Sequence, residues 1–232
     1  MAHLLRHGRA RPGYDLNLAA LRARIIADTA IEPAGDLVPE ILLRLATTPR
    51  EILREAAIDR QPRAEPPYWA FAWPGGQALA RYILDNPHVV AGKRVLDVGA
   101  GSGLGAIAAM RAGAQAGEAN DIDPLAAAAV GLNAEANGVQ IAISCLDLLD
   151  EHPRADVLII GDLVYQQELE KRVSRFLASA TLRGIPVLFG DRSSSRLPEL
   201  PFRQVAQYDT IVAPPLEDGW VEIARVWQLD PA

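Results

Sequence analysis

Residues 95–105 read VLDVGAGSGLG, and this stretch decides the fold because a predicted strand runs directly into a glycine-rich loop and a helix. Gly99, Gly101 and Gly103 allow the backbone to approach a ligand closely. The predicted helix begins at Leu104, and its N-terminus offers unpaired N–H groups and a partial positive charge. Such a site suits a ligand carboxylate as well as a phosphate. The stretch therefore predicts a ligand site at the C-terminal end of a strand.

The spacing of the glycines separates this loop from other nucleotide-binding loops. A dinucleotide fingerprint requires GxGxxG, but the last position of that frame is Leu104 when counted from Gly99 and Ala106 when counted from Gly101. A P-loop requires a Gly-Lys-Ser/Thr sequence, which the loop lacks. The residues instead fit the pattern DxGxGxG, with Asp97 closing the strand.

Strand-like and helical patterns alternate on either side of this stretch. The predicted strands are 93–99, 114–121, 140–145, 156–160 and 185–190, and the predicted helices are 77–85, 104–112, 124–137 and 166–180. This alternation predicts a parallel sheet with helices on both faces. Runs 202–212 and 220–229 have no helix between them, so they predict an antiparallel hairpin. We expect an α/β fold whose sheet is mostly parallel.

The region before this sheet has a different pattern and predicts a helical extension. Apolar residues recur at helical spacing after Asp15, which is the predicted N-cap of the first helix. A second helix is predicted over 39–47 and a third over 49–58, and the proline-rich stretch 61–67 predicts a loop. We therefore divide the chain into an N-terminal helical extension, 1–67, and an α/β domain, 68–232.

Composition narrows the class of partner. The chain has 232 residues and a net charge of −6, and this acidic total disfavours nucleic acid and suits a basic protein target. One cysteine and four scattered histidines predict no metal site. No apolar run has the length of a membrane span, and the N-terminus lacks a secretory signal. We expect a cytoplasmic protein that is not bound to a membrane. Because nothing in the sequence demands a dimer, we also expect a monomer.

Aspartates close four consecutive strands of the predicted sheet. They are Asp97, Asp121, Asp147 and Asp162. Ligands of open α/β sheets collect at these strand ends. An acidic side chain after the second strand can accept hydrogen bonds from ribose hydroxyls; either Asp121 or Asp123 could do so, and we favour Asp121 because Asp123 precedes Pro124 as a helix N-cap. Asp147 could accept a bond from an adenine amino group, with Cys145 and Leu146 packed on the ring.

Four segments of the chain resemble one family of enzymes. These segments are WAFAWPGGQALARYIL, DVGAGSGLGAIAA, NDIDPLAAAAVGLNAEANGV and the strand end GDLVY. Together they resemble the electron-transfer flavoprotein beta-subunit lysine methyltransferases, within the family 16 group of class I methyltransferases. The similarity covers about Trp69 to Tyr165 well and the rest loosely. It implies a Rossmann-like seven-strand methyltransferase sheet and S-adenosylmethionine as cofactor.

The resemblance also implies a role for each candidate residue. Gly99, Gly101, Gly103 and Asp97 would cradle the methionine end of the cofactor. Asp121, beside Ile122, would hold the ribose, and Asp147, beside Leu146, the adenine. Trp73 and Gly75 would line the cofactor pocket from the N-terminal side. Asp162 and Tyr165 would face the target lysine of a protein substrate, expected to be the flavoprotein beta subunit, with ribosomal proteins as further targets of bacterial relatives.

The chemistry of methyl transfer agrees with this arrangement. A lysine amine must be neutral to attack a sulfonium methyl group, and its free pKa is about 10.4. We expect Asp162 to orient the amine, with less support for a role as general base. Tyr165 and Trp73 could contact the methylated ammonium by cation–π attraction.

Other functions remain open at this point. A nicotinamide-type small-molecule N-methyltransferase shares the core, and a cofactor-binding protein without catalysis is a third class. A nucleic-acid methyltransferase is disfavoured because the fourth strand ends in Asp-Leu-Val-Tyr, where base-methylating enzymes have Asn/Asp-Pro-Pro-Tyr.

Overall fold

The computed structural model of the chain describes residues 17–47, 67–164, 167–192, 198, 200–211 and 221–232. The strands are β1 (Thr29–Pro33), β2 (Leu42–Ala46), β3 (Arg94–Val98), β4 (Ala116–Asn120), β5 (Ala142–Ser144), β6 (Val157–Gly161), β7 (Val187–Arg192), β8 (Arg203–Ile211) and β9 (Val221–Leu229). The α-helices are α1 (Leu18–Asp28), α2 (Pro74–Asp85), α3 (Leu104–Arg111), α4 (Pro124–Ala136) and α5 (Gln167–Thr181). Short 3-10 helices span Tyr68–Ala70 and Pro87–Val89.

Within this part of the chain, β3 to β9 form a seven-stranded sheet in the order β5-β4-β3-β6-β7-β9-β8. Strands β3 to β7 pair in parallel, whereas β9 runs antiparallel to both β7 and β8. This arrangement confirms the predicted mostly parallel sheet and the C-terminal hairpin. The chain order reverses direction at β3, where the next strand in sequence lies on one side and β6 on the other, and ligands of open α/β sheets bind at such a point.

Helices cover both faces of the sheet, and β6 shows how its residues divide between them. Ile159 faces one way and packs in a cluster that includes Leu79 of α2 and Ile107 of α3. Leu158 and Ile160 face the other way and pack in a cluster that includes Phe176 of α5. This two-residue period, combined with burial of Val157 to Ile160, is expected of a parallel strand covered on both sides.

The helices of the sheet region begin close to their predicted positions. Asp123 is the N-cap of α4, because its Oδ1 accepts a hydrogen bond of 2.8 Å from the backbone N–H of Leu125. Helix α2 begins at Pro74, earlier than the predicted start at Gln77, since a proline fits the first turn of a helix.

The N-terminal region departs from the all-helical prediction. Helix α1 is present, but its N-cap is Asn17, whose Oδ1 accepts a hydrogen bond of 3.1 Å from Ala20 N, and not Asp15. The predicted helix over 39–47 was wrong: this segment forms β2, which pairs with β1 in an antiparallel hairpin. The predicted helix over 49–58, and all but Pro67 of the predicted loop, lie outside the described residues.

Asn133 in the last turn of α4 and Asn137 at its C-cap explain why residues 42–46 form a strand. Asn137 Oδ1 accepts a hydrogen bond of 3.0 Å from Leu42 N, and Asn133 Oδ1 accepts one of 2.8 Å from Arg44 N. Leu43, between them, is fully buried. The two asparagine side chains therefore satisfy backbone N–H groups along one edge of the extended segment. These tertiary hydrogen bonds outweigh the helix propensity of leucine.

No helix in the described ranges has the length and hydropathy needed to cross a bilayer.

Candidate active site

The glycine-rich loop at the end of β3 has the backbone that its sequence predicts. Gly99, Gly101 and Gly103 have positive φ angles of 68°, 53° and 81°. A Cβ on Gly99 would lie 2.5 Å from Cδ1 of Leu163, and a Cβ on Gly103 would lie 3.1 Å from Cγ1 of Val130. Both the left-handed backbone and the close neighbours therefore require glycine at these two positions.

Asp121 fixes this loop to the end of β4. Its Oδ2 accepts a hydrogen bond of 2.9 Å from Gly101 N, and its Oδ1 accepts one of 2.9 Å from Asp123 N. Burial raises the pKa of Asp121, although these hydrogen bonds oppose the rise. The structure thus brings the predicted ribose-binding carboxylate against the glycine loop.

Asp97 lies beneath the loop and faces α3. Its side chain is almost fully buried, and Oδ2 accepts a hydrogen bond of 2.9 Å from Ala106 N in the first turn of the helix. Burial, with a smaller contribution from the charge of Asp121, raises the pKa of Asp97 to about 7. Asp97 therefore holds the helix N-terminus beside the loop, and its predicted contact with a cofactor stays a prediction.

An apolar surface borders the loop at the ends of β4 and β5. Ile122 is 49% exposed beside the loop, so its side chain is available for contact with a flat ring. Cys145 Sγ lies 3.7 Å from the Ile122 carbonyl oxygen, and burial raises the pKa of its thiol to about 11. Leu146 is half-buried nearby in the chain. The residues present therefore fit a nucleoside held by its ribose at Asp121.

Asp147, the predicted partner of adenine, has protein partners in this structure. Its Oδ1 accepts a hydrogen bond of 2.9 Å from Arg172 Nη2, and Arg172 also pairs with Asp150. A longer contact of 3.3 Å joins the same oxygen to Leu149 N. An adenine amino group would share this carboxylate with Arg172, so the role of Asp147 stays a prediction.

An aromatic segment before α2 closes one side of the glycine loop. The Cα of Trp69 would lie 3.7 Å from a Cβ on Gly101, so this residue, which the sequence analysis did not assign to the site, lies against the loop. Trp73 Nε1 donates a hydrogen bond of 2.8 Å to the Tyr68 carbonyl oxygen, and its ring centroid lies 5.7 Å from that of Phe71. These contacts fix the side chain of Trp73, the residue that directly precedes α2.

Asp162 lies at the end of β6 and caps the N-terminus of α2. Its Oδ2 accepts a hydrogen bond of 2.8 Å from Gly76 N. A Cβ on Gly75 would lie 2.6 Å from Oδ1 and 2.7 Å from Oδ2, so the carboxylate occupies space that only glycine leaves open. The structure thus brings together Gly75, which the sequence analysis assigned to the cofactor pocket, and Asp162, which it assigned to the target lysine.

Asp162 also has an uncommon backbone conformation and an incompletely satisfied carboxylate. Its φ of 48° lies in the left-handed region, where a residue other than glycine is uncommon. Oδ1 is buried and has no hydrogen-bond partner among the described residues. Burial raises the pKa of Asp162 to about 6, and the charge of Glu222 adds to the rise, whereas the backbone of α2 and Arg192 oppose it. Strain and unsatisfied buried groups concentrate at functional sites.

Asp191 is a buried carboxylate next to this site that the sequence analysis did not single out. It lies on β7 beside the end of β6, where Gly161 pairs with Gly190. The sequence contains a signal for it, because IIGD ends β6 and LFGD occurs in β7, so the same Gly-Asp pair recurs in register on neighbouring strands.

The predicted partner of Asp162, Tyr165, lies outside the described residues. In the part of the chain that is described, no group of three histidine, cysteine, aspartate or glutamate side chains could hold a metal ion.

Comparison with known proteins identifies the family. A family model described as ribosomal protein L11 methyltransferase (PrmA) matches residues 77–178. The electron transfer flavoprotein beta subunit lysine methyltransferase of Homo sapiens is 37% identical over 219 residues, covering 91% of this chain and 82% of that protein. The corresponding protein of Mus musculus is 36% identical over 218 residues, covering 91% and 85%.

A solved structure supports the fold. A putative RNA methyltransferase, PH1948 from Pyrococcus horikoshii, superposes with a TM-score of 0.54 at 15% identity, covering 81% of this chain and 98% of that chain. The comparisons together confirm the predicted protein-lysine methyltransferase class and S-adenosylmethionine as its methyl donor. The chain belongs to the electron transfer flavoprotein beta subunit lysine methyltransferase family.

Proposed function

We propose that this chain transfers methyl groups from S-adenosylmethionine to lysine side chains of the electron-transfer flavoprotein beta subunit. The observation that carries the proposal is the contact between the two halves of the site. Leu163, next to Asp162, packs so closely on Gly99 that a Cβ there would overlap it. A lysine held at Asp162 would therefore lie beside a cofactor held by the glycine loop, as in-line methyl transfer requires.

The cofactor half of the site comprises the glycine loop and the ends of β4 and β5. We assign the methionine end of the cofactor to the loop and the adjacent helix N-terminus, with support from Asp97. Asp121 would bind the ribose, and Ile122 and Leu146 would contact the adenine. We also assign Trp73 and Gly75 to the pocket wall, because both lie at the start of α2.

The substrate half begins at Asp162. When bound, S-adenosylmethionine supplies a methyl group activated by its sulfonium charge. The task left to the protein is to bind the lysine ammonium, align it and remove its proton. Oδ1 of Asp162, which has no hydrogen-bond partner among the described residues, can accept a hydrogen bond from the ammonium. We assign Tyr165 and Trp73 to cation–π contact with the methylated product.

The named relatives and the net charge support a protein substrate. Two relatives carry the beta subunit in their names, and both align with most of this chain. A net charge of −6 favours a target that presents a basic surface and disfavours nucleic acid. We further propose that the chain acts in the cytoplasm as a monomer.

Incorporation of label from radioactive S-adenosylmethionine tests the proposal. The purified chain is incubated with recombinant electron-transfer flavoprotein, with ribosomal protein as a second substrate. We expect label on the beta subunit that disappears when its target lysine is replaced by arginine. An Asp230→Asn variant, altered at an exposed surface pair, should label as well as the wild type. Absence of label on any protein, despite cofactor binding, would contradict the proposal and favour a small-molecule substrate.

A further inference from the structure

The segment that follows β5, residues 145–147, forms one wall of the proposed nucleoside site, and we call it the adenine-side segment. Strand β5 has three residues and lies at the edge of the sheet beside β4. Its last ladder position is Ser144, opposite Asn120. The ladder therefore ends before Leu146, the residue proposed to contact adenine. Because a backbone carbonyl that leaves a sheet still needs a donor, another contact has to hold this segment.

The side chain of Asn120 supplies that contact. Asn120 ends β4 and is only 2% exposed. Its Nδ2 donates hydrogen bonds of 3.1 Å to the Leu146 carbonyl oxygen and 3.0 Å to Ser144 Oγ, with a longer contact of 3.4 Å to the Ser144 carbonyl oxygen. An amide nitrogen carries two N–H groups, so both shorter bonds form at once. The amide thus continues the pairing of β4 with β5 beyond the end of the ladder.

The neighbours of this amide fix its orientation. Ser144 Oγ donates a hydrogen bond of 2.8 Å to Glu118 Oε1, so its proton is committed and its oxygen accepts from Asn120. The Leu146 carbonyl can only accept. Turning the amide round would place Asn120 Oδ1 against two acceptors, so the nitrogen has to face Leu146. An ionised aspartate has the same shape but no donor, and it could not hold Leu146 in this way.

Asn120 also contacts the opposite wall of the proposed site. Its carbonyl oxygen accepts a hydrogen bond of 2.9 Å from Ala100 N of the glycine loop. The next residue, Asp121, bonds through its carboxylate to Gly101 N of the same loop. One residue is therefore bonded to the glycine loop through its backbone and to the adenine-side segment through its side chain. The separation of the two walls depends on it.

A second contact to the adenine-side segment lies at the surface. It is the ion pair of Asp147 with Arg172 of α5, in which the Asp147 side chain is 46% exposed. Exposed ion pairs contribute little to holding a segment, whereas a hydrogen bond inside a buried network is costly to lose. We therefore expect Asn120 to dominate the position of Leu146.

We propose that Asn120 is a positioning residue of the cofactor site, which fixes Leu146 opposite the glycine loop and thereby sets the affinity for the nucleoside part of S-adenosylmethionine. This inference rests on the proposed function, which assigns the nucleoside to the ends of β4 and β5. Asn120 acts through Leu146 and not on the methyl group. It therefore contributes equally to the ground state and the transition state, and the methyl-transfer step does not depend on it.

The test compares wild type, Asn120→Ala and the matched control Asn86→Ala. Asn86 also donates a hydrogen bond from Nδ2 to a backbone carbonyl, that of Tyr82 at 2.9 Å, but it lies at the C-terminal end of α2, away from the site. Affinity for S-adenosylhomocysteine is measured by calorimetry without any protein substrate. We expect Asn120→Ala to bind about tenfold more weakly, since one buried hydrogen bond is lost. Asn86→Ala should bind like wild type.

A second ligand separates the nucleoside from the amino-acid end of the cofactor. 5′-Methylthioadenosine has the nucleoside but lacks the amino-acid end, so Asn120→Ala should lose the same factor of affinity for it. Hydrogen exchange of the ligand-free enzyme supplies an independent measurement. Exchange of residues 145–149 should be faster in Asn120→Ala and unchanged in Asn86→Ala, because the released segment opens locally.

Kinetics separate positioning of the cofactor from a general defect. In Asn120→Ala the KM for S-adenosylmethionine should rise by about the same tenfold with kcat unchanged, as expected when uniform binding is lost. If this variant does not fold, Asn120→Ser replaces it. The serine hydroxyl is one atom shorter than the amide, so it keeps a donor near Ser144 but does not reach Leu146. The same loss of affinity is expected.

Three results would overturn the inference. The first is wild-type affinity for S-adenosylhomocysteine in Asn120→Ala or Asn120→Ser. The second is a loss for S-adenosylhomocysteine without a loss for 5′-methylthioadenosine, and the third is an equal loss in Asn86→Ala. A wild-type enzyme that binds the cofactor but does not label the flavoprotein beta subunit would overturn the proposed substrate alone. The inference about Asn120 would then stand on the calorimetric titrations, which contain no protein substrate.

Discussion

The two halves of the active site treat their carboxylates differently. On the cofactor half, Asp121 has both oxygens hydrogen-bonded to backbone N–H groups, and Asp97 is bonded to the first turn of α3. On the substrate half, Asp162 keeps one buried oxygen, Oδ1, without a hydrogen-bond partner in the described residues. In the proposed function, the cofactor half is therefore a fixed cradle, whereas the substrate half offers a free acceptor to the lysine ammonium.

The largest effect is expected from a substitution at Gly75 that disturbs Asp162 of the substrate half. In a Gly75→Ala variant the new methyl group would overlap the carboxylate of Asp162 at 2.6 Å. We expect methyl transfer to fall by about 10²-fold, because a displacement of about 1 Å at a reacting group has that effect. Single-turnover labelling at saturating cofactor measures it.

Gly76→Ala is the matched control for this prediction. A Cβ on Gly76 would meet only Cδ2 of Leu104, at 3.9 Å, which is an ordinary contact. This variant should keep its activity, and equal losses in the two variants would indicate a general intolerance of α2 to alanine instead of a clash at Asp162.

A smaller effect, on stability, is expected on the cofactor half. The pKa of Asp97 is raised from 3.8 to about 7, so the folded state binds its proton more tightly than the unfolded state. The stabilisation is therefore complete below pH 4 and is lost as pH rises from about 4 to about 7, in total roughly 1–4 kcal/mol. Asp97→Asn removes this dependence.

Chemical denaturation of wild type and Asp97→Asn at pH 5 and pH 8 measures the difference. The free energy of unfolding of the variant minus that of the wild type should be larger at pH 8 than at pH 5, because only the wild type loses stability as the pH rises. An identical difference at the two pH values would mean that the Asp97 carboxyl titrates normally.

The smallest effect is expected at Asn133, which connects the cofactor cradle to the N-terminal hairpin. Its Nδ2 donates a hydrogen bond of 2.8 Å to the Ser102 carbonyl oxygen of the loop, while its Oδ1 accepts from Arg44 N of β2. Asn133→Ala should weaken cofactor binding by about tenfold, since one buried hydrogen bond is lost at the loop. Asn137→Ala, which affects the hairpin without touching the loop, should bind the cofactor normally. Calorimetric titration distinguishes the two variants.

The sequence was most informative where local pattern and packing agree. The strand, glycine loop and helix at residues 95–105, the alternating strands and helices and the terminal hairpin were all predicted, because each depends on periodicity and glycine spacing within a short window. The helix predicted over 39–47 failed because a strand there is held by Asn133 and Asn137, which lie far along the chain. Local propensity carries no information about such partners.

The candidate site shows the same division. The sequence placed four aspartates at strand ends, and the structure places Asp97 near the end of β3 and Asp121 and Asp162 directly after β4 and β6. Asp147, however, lies in the segment that follows β5, which already ends at Ser144. The sequence did not reveal that Asp162 would cap α2, that Asp147 would pair with Arg172, or that Asp191 would lie on the strand next to Asp162. These contacts depend on which strands become neighbours in the sheet, and no single segment of the sequence determines that order.

The most direct test of the two-half account is a comparison of Asp121→Ala with Asp162→Asn, in which S-adenosylmethionine affinity and methylation of the flavoprotein beta subunit are measured on the same preparations. The account predicts that Asp121→Ala weakens cofactor binding by about 10²-fold. It predicts that Asp162→Asn binds the cofactor like wild type but transfers methyl groups about 10²-fold more slowly at saturating cofactor. Wild-type methylation by Asp162→Asn, or a loss of cofactor affinity in that variant as large as in Asp121→Ala, would contradict the account.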